Sequence, residues 1–407
     1  MKNKNYGLLI AGVGISSTGD FMYLIAINLI IYHLTGSATL VAALWVLGPL
    51  AGLVIKSWSG GFVDRHSKKK IMIYTDILRG MLMVILLFSN HVWLMLTIIF
   101  LVHSCSAFFR PASQSYIVKL VPKERRSIFN GMFQAASTGG IVIGPAIAGG
   151  VLLIASPSTL IFVNAITFFL SAILISFLPS LDTKHTEKTK LTFFHQLRDD
   201  RKVVWKIIKE ENKFVKMYIV FQLILVIGMS LDALEWVYSN KVLGLNESQY
   251  SLLMSVCGIG YVAGSLLASK LPDFLSNRSL VVGGTFVSVA GFIGYAFSIS
   301  FSMVLISFTI LGLGQAIANA SMLTLFQNTV PPELIARFSN FFAVMISTLV
   351  ITLTITLGIF GDISVLLAVR IPVFASLLFG ILLFLWSKFL NETKEISPHG
   401  KQKELGA

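Results

Sequence analysis

The 407-residue chain is 55% apolar and only 13% charged, with a mean hydropathy of +0.81, where an average soluble chain is about one quarter charged. So little polar surface excludes a soluble globule of this size, and lipid has to cover the rest. The net charge of +13 does not point to nucleic acid, because the cations collect on one side of the apolar stretches.

A bilayer crossing needs roughly 20 apolar residues, and twelve such stretches follow one another: 7–33, 38–63, 71–89, 92–118, 127–154, 158–178, 216–240, 249–270, 280–298, 302–328, 336–360 and 364–388. The period-2 alternation of a membrane barrel is absent, so the sequence predicts an all-α membrane protein of twelve transmembrane helices. Span 1 follows Lys2 and Lys4 as a signal peptide would. It is long, holds Asp20 and lacks a small-x-small cleavage site, so it reads as a retained helix.

Between spans 2 and 3 the chain runs from Gly60 through Asp64, Arg65, His66 and Ser67 to Lys68, Lys69 and Lys70. A hairpin this basic stays on the side of synthesis, which makes that face cytoplasmic. Both termini then lie inside, and all but five of the 32 Lys and Arg fall on the same side. The exceptions are Lys241 in an outer loop and Lys56, Arg79, Arg110 and Arg370 within spans. Cytoplasmic cations also attract anionic lipid head groups. Cys105 and Cys257 sit inside spans, so no disulfide framework is indicated.

Leu181 to Val215 is the only long polar segment between spans. Phe193, Leu197, Val204, Ile207 and Ile208 recur there at near-helical spacing, which suggests an amphipathic helix on the inner leaflet. It reads as a strap joining two bundles, or as a site for a regulatory partner. Leu120-Val121-Pro122-Lys123-Glu124 after span 4 is echoed by Thr329-Val330-Pro331-Pro332-Glu333 after span 10. Six spans lie on each side of the strap, so the chain divides into a first bundle (1–178), the linker (179–215), a second bundle (216–390) and a tail (391–407). Parallel repeats place a substrate site between the halves near mid-membrane.

Polar residues inside spans are costly unless they face protein or water, and here they form stripes. Span 1 offers Ser16, Ser17, Asp20 and Tyr23 on one face, and span 4 offers His103, Ser106, Arg110, Ser113 and Gln114. Span 7 offers Gln222, Asp232 and Trp236 with Glu235 at the edge, and span 10 offers Gln315 and Asn319. Asp20 is the leading proton carrier, because a deep carboxyl that binds a proton on one side and releases it on the other turns a gradient into a conformational bias. The alternative is a structural ion pair with Lys56 or Arg110. Asp232 and Glu235 come second, two acids close enough to hold one proton between them, or else a cation site. Lys56, Asp76, Arg79 and Arg110 read as a salt-bridged gate on the cytoplasmic side. His103 is either a proton carrier or a hydrogen-bonded packing residue. Arg370 snorkels or pairs with Asp362.

Two motifs carry a family resemblance. Gly60, Asp64, Arg65 and Lys69 match the G-x-x-x-D-R-x-G-R-K hairpin of the major facilitator superfamily, with Ser67 in place of a glycine and Lys68 in place of an arginine. The glycines permit close helix approach, and the Asp64 carboxylate can accept from the amides that open a neighbouring helix. Gly140, Gly144, Pro145 and Gly149 resemble the G-x-x-x-G-P-x-x-G-G motif of that superfamily's exporters and antiporters, with Ala148 replacing one glycine. Small-residue helix packing is the alternative reading. Gly260, Gly264 and Ala268 in span 8 offer a complementary strip.

Within the superfamily the chain resembles bacterial macrolide-efflux-like and siderophore-export-like members. The likeness rests on Ser16-x-x-Gly19-Asp20, Thr35-Gly36-Ser37, Asp76-Ile77-Leu78-Arg79, Pro111-Ala112, Leu120-Val121-Pro122 and Asn130. It implies two pseudo-symmetric six-helix bundles around a cavity lined by spans 1, 4, 7 and 10, with the hairpin locking the halves on the cytoplasmic side. Many drug antiporters carry an arginine early in helix 4; here that neighbourhood is Val102-His103, so coupling through it does not carry over.

The expected activity is proton-coupled efflux of lipophilic drugs by alternating access, a multidrug antiporter in the cell membrane that works as a monomer. Tyr23, Phe109 and Trp236 would supply apolar contact to the substrate. The rivals are a dedicated exporter or uniporter of a siderophore, metabolite or metal ion, and a transporter-derived sensor or lipid scramblase. There is no G-x-x-x-x-G-K-[ST] loop, H-E-x-x-H or G-x-S-x-G, so neither an enzyme nor a cofactor or metal site is expected.

Overall fold

A computed structural model describes residues 2–122, 125–181, 212–330 and 332–389. The linker helix expected over Phe193–Ile208 and the tail from 391 lie outside them. Twelve α-helices fill the described residues: α1 (Lys2–Thr35), α2 (Ala38–Arg65), α3 (Lys68–Leu87), α4 (Val92–Leu120), α5 (Arg126–Leu152), α6 (Pro157–Ser176), α7 (Asn212–Asp232), α8 (Glu235–Lys241), α9 (Glu247–Lys270), α10 (Asn277–Ala296), α11 (Phe301–Thr329) and α12 (Pro332–Phe389).

Ten helices are long and apolar enough to cross a membrane. One of them, Phe341–Ser387, holds 47 residues, about 70 Å at 1.5 Å per residue, or two crossings. Its fold-back lies at Ser364, where φ −153° and ψ 99° leave the helical region. The shorter, more charged α3 completes twelve crossings; it holds Lys68, Lys69, Lys70, Asp76 and Arg79.

Turn chemistry explains where the helices begin and end. Gly36 and Gly244 take positive φ of 63° and 67°, and their amides reach back to the carbonyls of Tyr32 and Asn240. Both therefore close a helix in the left-handed conformation that glycine adopts without strain, at matching places in the two halves. Ser37, Ser67, Ser276 and Ser300 then cap α2, α3, α10 and α11, while Asn246 and Gln249 form a reciprocal capping box at α9.

One expected helix is broken. Span 7 divides into α7 and α8 across Ala233 and Leu234, so Asp232 closes one helix and Glu235 opens the next.

The apolar cores locate the join between halves. One cluster contains Ile27, Leu29, Ile31 and Leu44 of the first half together with Trp236, Leu253, Leu357 and Val365 of the second. It lies toward the face opposite the basic loops. Toward the basic face there are three further clusters, each confined to one half: Leu9, Ile71, Tyr116 and Phe129 in the first, and Phe214, Phe326, Phe338 and Phe342, with a small one of Ala268, Leu280 and Ile317, in the second. The halves are joined at one end, with separate cores at the other.

Candidate functional site

The first-half stripe is assembled by α1, α3, α4 and α6. Ser16 is buried, and Ser17 Oγ lies 3.5 Å from Ser137 Oγ on α5. Gly140 and Gly144 explain this closeness: a Cβ at Gly140 would come 2.8 Å from the Ser17 carbonyl carbon, and one at Gly144 would come 2.8 Å from the Thr18 oxygen. The antiporter-type strip of α5 therefore seats α1. The Gly260–Gly264 strip seats α11 instead, against Thr309 and Leu313, so the two strips do not face each other as the sequence suggested. What joins α5 to α9 is Gly149 against Ser248 and Ser251, and Gly258 against Val142.

Asp20 is partly buried. Asn164 of α6 lies beside it, and the charged groups acting on it are Arg79, Asp76 and Arg110. None is within ion-pair distance: among the described residues the ion pairs are His33–Glu247 and Arg79–Asp76. Arg110 is exposed, so the alternative of an Asp20–Arg110 bond is not formed. Lys56, Gly60 and Asp64 lie outside the residues whose side chains are described. Arg65 is exposed and Lys69 partly so.

Asp76 and Arg79 depart from the gate expectation. Their ion pair is buried, and its other contacts all stay within the first half. Ser171 of α6 donates to Asp76 Oδ2 at 2.7 Å, Arg79 donates to Ser106 Oγ of α4 at 3.5 Å, and the guanidinium stands 4.8 and 4.4 Å from the Phe109 and Phe168 rings. The pair pins α3 to α4 and α6. His103 packs against α2, its ring 3.5 Å from where a Cβ on Gly48 would stand.

In the second half Glu235 is buried and Asp232 partly so, and no described cation is within ion-pair distance of either. Tyrosines surround them. Tyr295 donates to the Glu235 carbonyl at 3.0 Å, Ser239 and Tyr295 hydroxyls lie 3.0 Å apart, and Tyr250 and Cys257 both feel the two carboxyls. Gln222 lies beside Tyr218. Gln315 and Asn319 are partly buried on α11.

Two aromatic candidates are corrected. Trp236 is 1% exposed and packs on Tyr32, His33 and Tyr250 with ring centroids 6.4, 6.2 and 5.2 Å away, so it belongs to the seal between the halves rather than to an open cavity wall. Tyr23 is likewise buried in the cluster that joins them. Of the two expectations for Arg370, the pair with Asp362 is not formed: Arg370 donates to the Ala296 carbonyl at 3.2 Å and stands 4.4 Å from the Phe297 ring. Asp362 is bound elsewhere, to Ser37, Ala38 and Thr39 at the start of α2.

The described polar contacts between halves gather at that same end: the Asp362 set, His33–Glu247 at 3.5 Å, Ser248 Oγ donating to the Gly149 carbonyl at 3.3 Å, and Lys241 5.4 Å from the Tyr32 ring. The halves are therefore closed on each other at the face opposite the basic loops.

Two parallel six-helix halves, closed on each other at one end and carrying polar stripes between them, match a known family model. The Major Facilitator Superfamily model matches residues 9–354 and 228–405. The chain belongs to the major facilitator superfamily. This facilitator is 27% identical over 340 residues to the putative bacilysin exporter BacE of Bacillus subtilis, covering 78% of the chain and 80% of that protein. It is 22% identical over 339 residues to macrolide efflux protein A of Streptococcus pyogenes, covering 80% and 82%. In fold it is similar to a bacterial homologue of the human lysosomal transporter Spinster, solved inward-facing and unoccupied, with a TM-score of 0.71 at 15% identity and coverage of 94% and 97%. This facilitator is a multi-pass membrane transporter of a small molecule and not an enzyme.

Proposed function

We propose that this facilitator is a proton-coupled exporter of lipophilic small molecules. With the basic loops in the cytoplasm, the chamber faces inward and takes its substrate from the cytoplasm or the inner leaflet. The observation that carries the reading is Asp20, a partly buried span-1 carboxyl with no cation at ion-pair distance among the described residues. A carboxyl without a counter-charge in such a place has to be met by a proton or by a cationic ligand. Binding one displaces the other, which is the exchange an antiporter requires. Asp232 and Glu235 offer a second such place across the chamber.

The test is substrate-dependent proton flux in proteoliposomes, with a macrolide as the first compound. Wild type should couple substrate exit to proton entry, and Asp20→Asn should lose the coupled flux while still binding substrate. Unchanged coupling in Asp20→Asn removes Asp20 from the mechanism. A dedicated exporter is the second reading, favoured by similarity to a relative named for one compound, bacilysin. In that case a panel of unrelated lipophilic compounds would give no flux beyond a single chemical class.

A further inference from the structure

We propose that Asp362 is the latch that holds the two halves together at the face opposite the basic loops, and that releasing it opens the chamber there. Its carboxylate takes four hydrogen bonds from the start of α2: Oδ1 accepts from the Ala38 amide at 2.6 Å, and Oδ2 accepts from Ser37 Oγ at 2.9 Å, Thr39 Oγ1 at 2.5 Å and the Thr39 amide at 3.4 Å. Amides of a first helical turn have no partner within their own helix and carry the positive end of its dipole, so a carboxylate suits them. The acid belongs to the second half and every donor to the first. It is distinct from the Gly60–Lys70 hairpin at the other end of α2.

The neighbouring residues are shaped for this docking. A Cβ on Gly358 would stand 2.6 Å from Ala42 Cβ, and one on Gly361 would stand 2.9 Å from Ala38 Cβ. The two glycines let α2 settle directly onto α12, and the fold-back at Ser364 ends that limb just beyond the carboxyl. The bonds from Ser37 and Thr39 are exposed, so water can replace them as the seam parts. That makes the contact a reversible latch and not a permanent weld. It holds whichever compound is moved and whether or not protons are coupled to it.

The test reads distance, not transport. Spin labels at Leu34→Cys and Ile299→Cys, both exposed at this face and in opposite halves, are placed on the full chain with Cys105→Ser and Cys257→Ser in lipid nanodiscs. Charge-assisted hydrogen bonds are the stronger kind, so Asp362→Asn should raise the long-distance, open population roughly tenfold. Thr39→Val, on the other side of the seam, should shift it in the same direction, and combining the two should add little to Asp362→Asn alone. If Asp362→Asn does not fold, Thr39→Val carries the test. An unchanged distance distribution in a well-folded variant, or shifts that simply add, would overturn the latch.

Discussion

Asp76→Ala should damage the fold of the first half before it touches gating. The side chain of Asp76 is 0% exposed and that of Arg79 is 5% exposed, and the Arg79 Nε already has no partner. Removing the acid strands a guanidinium held by Ser106 at 3.5 Å and by two aromatic faces, and it orphans the Ser171 hydroxyl. Breaking a buried pair by deleting one partner costs about 3–5 kcal/mol. Cation–π contact with Phe109 and Phe168 offsets about 0.5–2 kcal/mol of this, so the net loss should be at least about 1 kcal/mol. Asp76→Leu combined with Arg79→Leu removes the stranded charge and should recover most of the loss. The assay is the thermal or denaturant midpoint of purified protein in detergent, with the four proteins of a double-mutant cycle measured side by side. An Asp76→Ala protein within about 1 kcal/mol of wild type would refute the reasoning. So would a double variant no more stable than the single one.

Gly312→Ala drives a methyl group into the Cys257 carbonyl oxygen where α9 and α11 touch, and overpacking of that kind costs about 1–3 kcal/mol. Gly283→Ala on α10 meets nothing within 4 Å and should be neutral or slightly stabilising; the same melting assay compares them. The Asp362 latch should also set a pH response. Partial burial raises this carboxyl, but the donors on Thr39, Ser37 and Ala38 outweigh it and hold it below the usual carboxylate range. A depressed carboxyl contributes its full stability above the ordinary value of about 4 and loses it only as pH falls through the lowered one. Spin-label distances across this face should therefore stay constant from neutral pH to about pH 5. The measurement is made in a His33→Gln background, which removes the ion pair described across this face; opening near pH 6 there would contradict the assignment.

Crossings and their order were legible because lipid imposes a length and a hydropathy that each span has to meet. The fold-back at Ser364 was legible for the same reason, since no bilayer accommodates 47 apolar residues in one straight pass. The break between Asp232 and Glu235 was not: Ala233 and Leu234 are good helix formers, and no proline or glycine marks the place. Small-residue strips announce close contact but carry no address, which is why Gly140–Gly144 was matched to Gly260–Gly264 when each seats a helix of its own half. Asp76 and Arg79 were read as salt-bridged, but sequence spacing could not say that Ser106 and Ser171 would enclose them within one bundle. Asp362 was weighed only against Arg370, the cation nearest in sequence. Its actual donors are uncharged and up to 325 residues away, and a helix start binds an acid without leaving any charge to find.

That last case bears on how the transporter moves. A seam that has to open and close in every cycle cannot rest on a buried ion pair, because parting one strands two charges at a cost of several kcal/mol. The buried ion pair found among the described residues accordingly lies inside the first half, where Asp76 and Arg79 never need to separate. The seam uses the opposite chemistry: an exposed carboxylate on amides and hydroxyls, an exposed His33–Glu247 contact, and glycines against alanines. Each of these exchanges for water or lipid at small cost. An element of the seal that resists this is Trp236, fully buried among Tyr32, His33 and Tyr250. It directly follows Glu235 just past a helix break, so the residue hardest to withdraw from the seal is joined to a carboxyl with no counter-charge among the described residues.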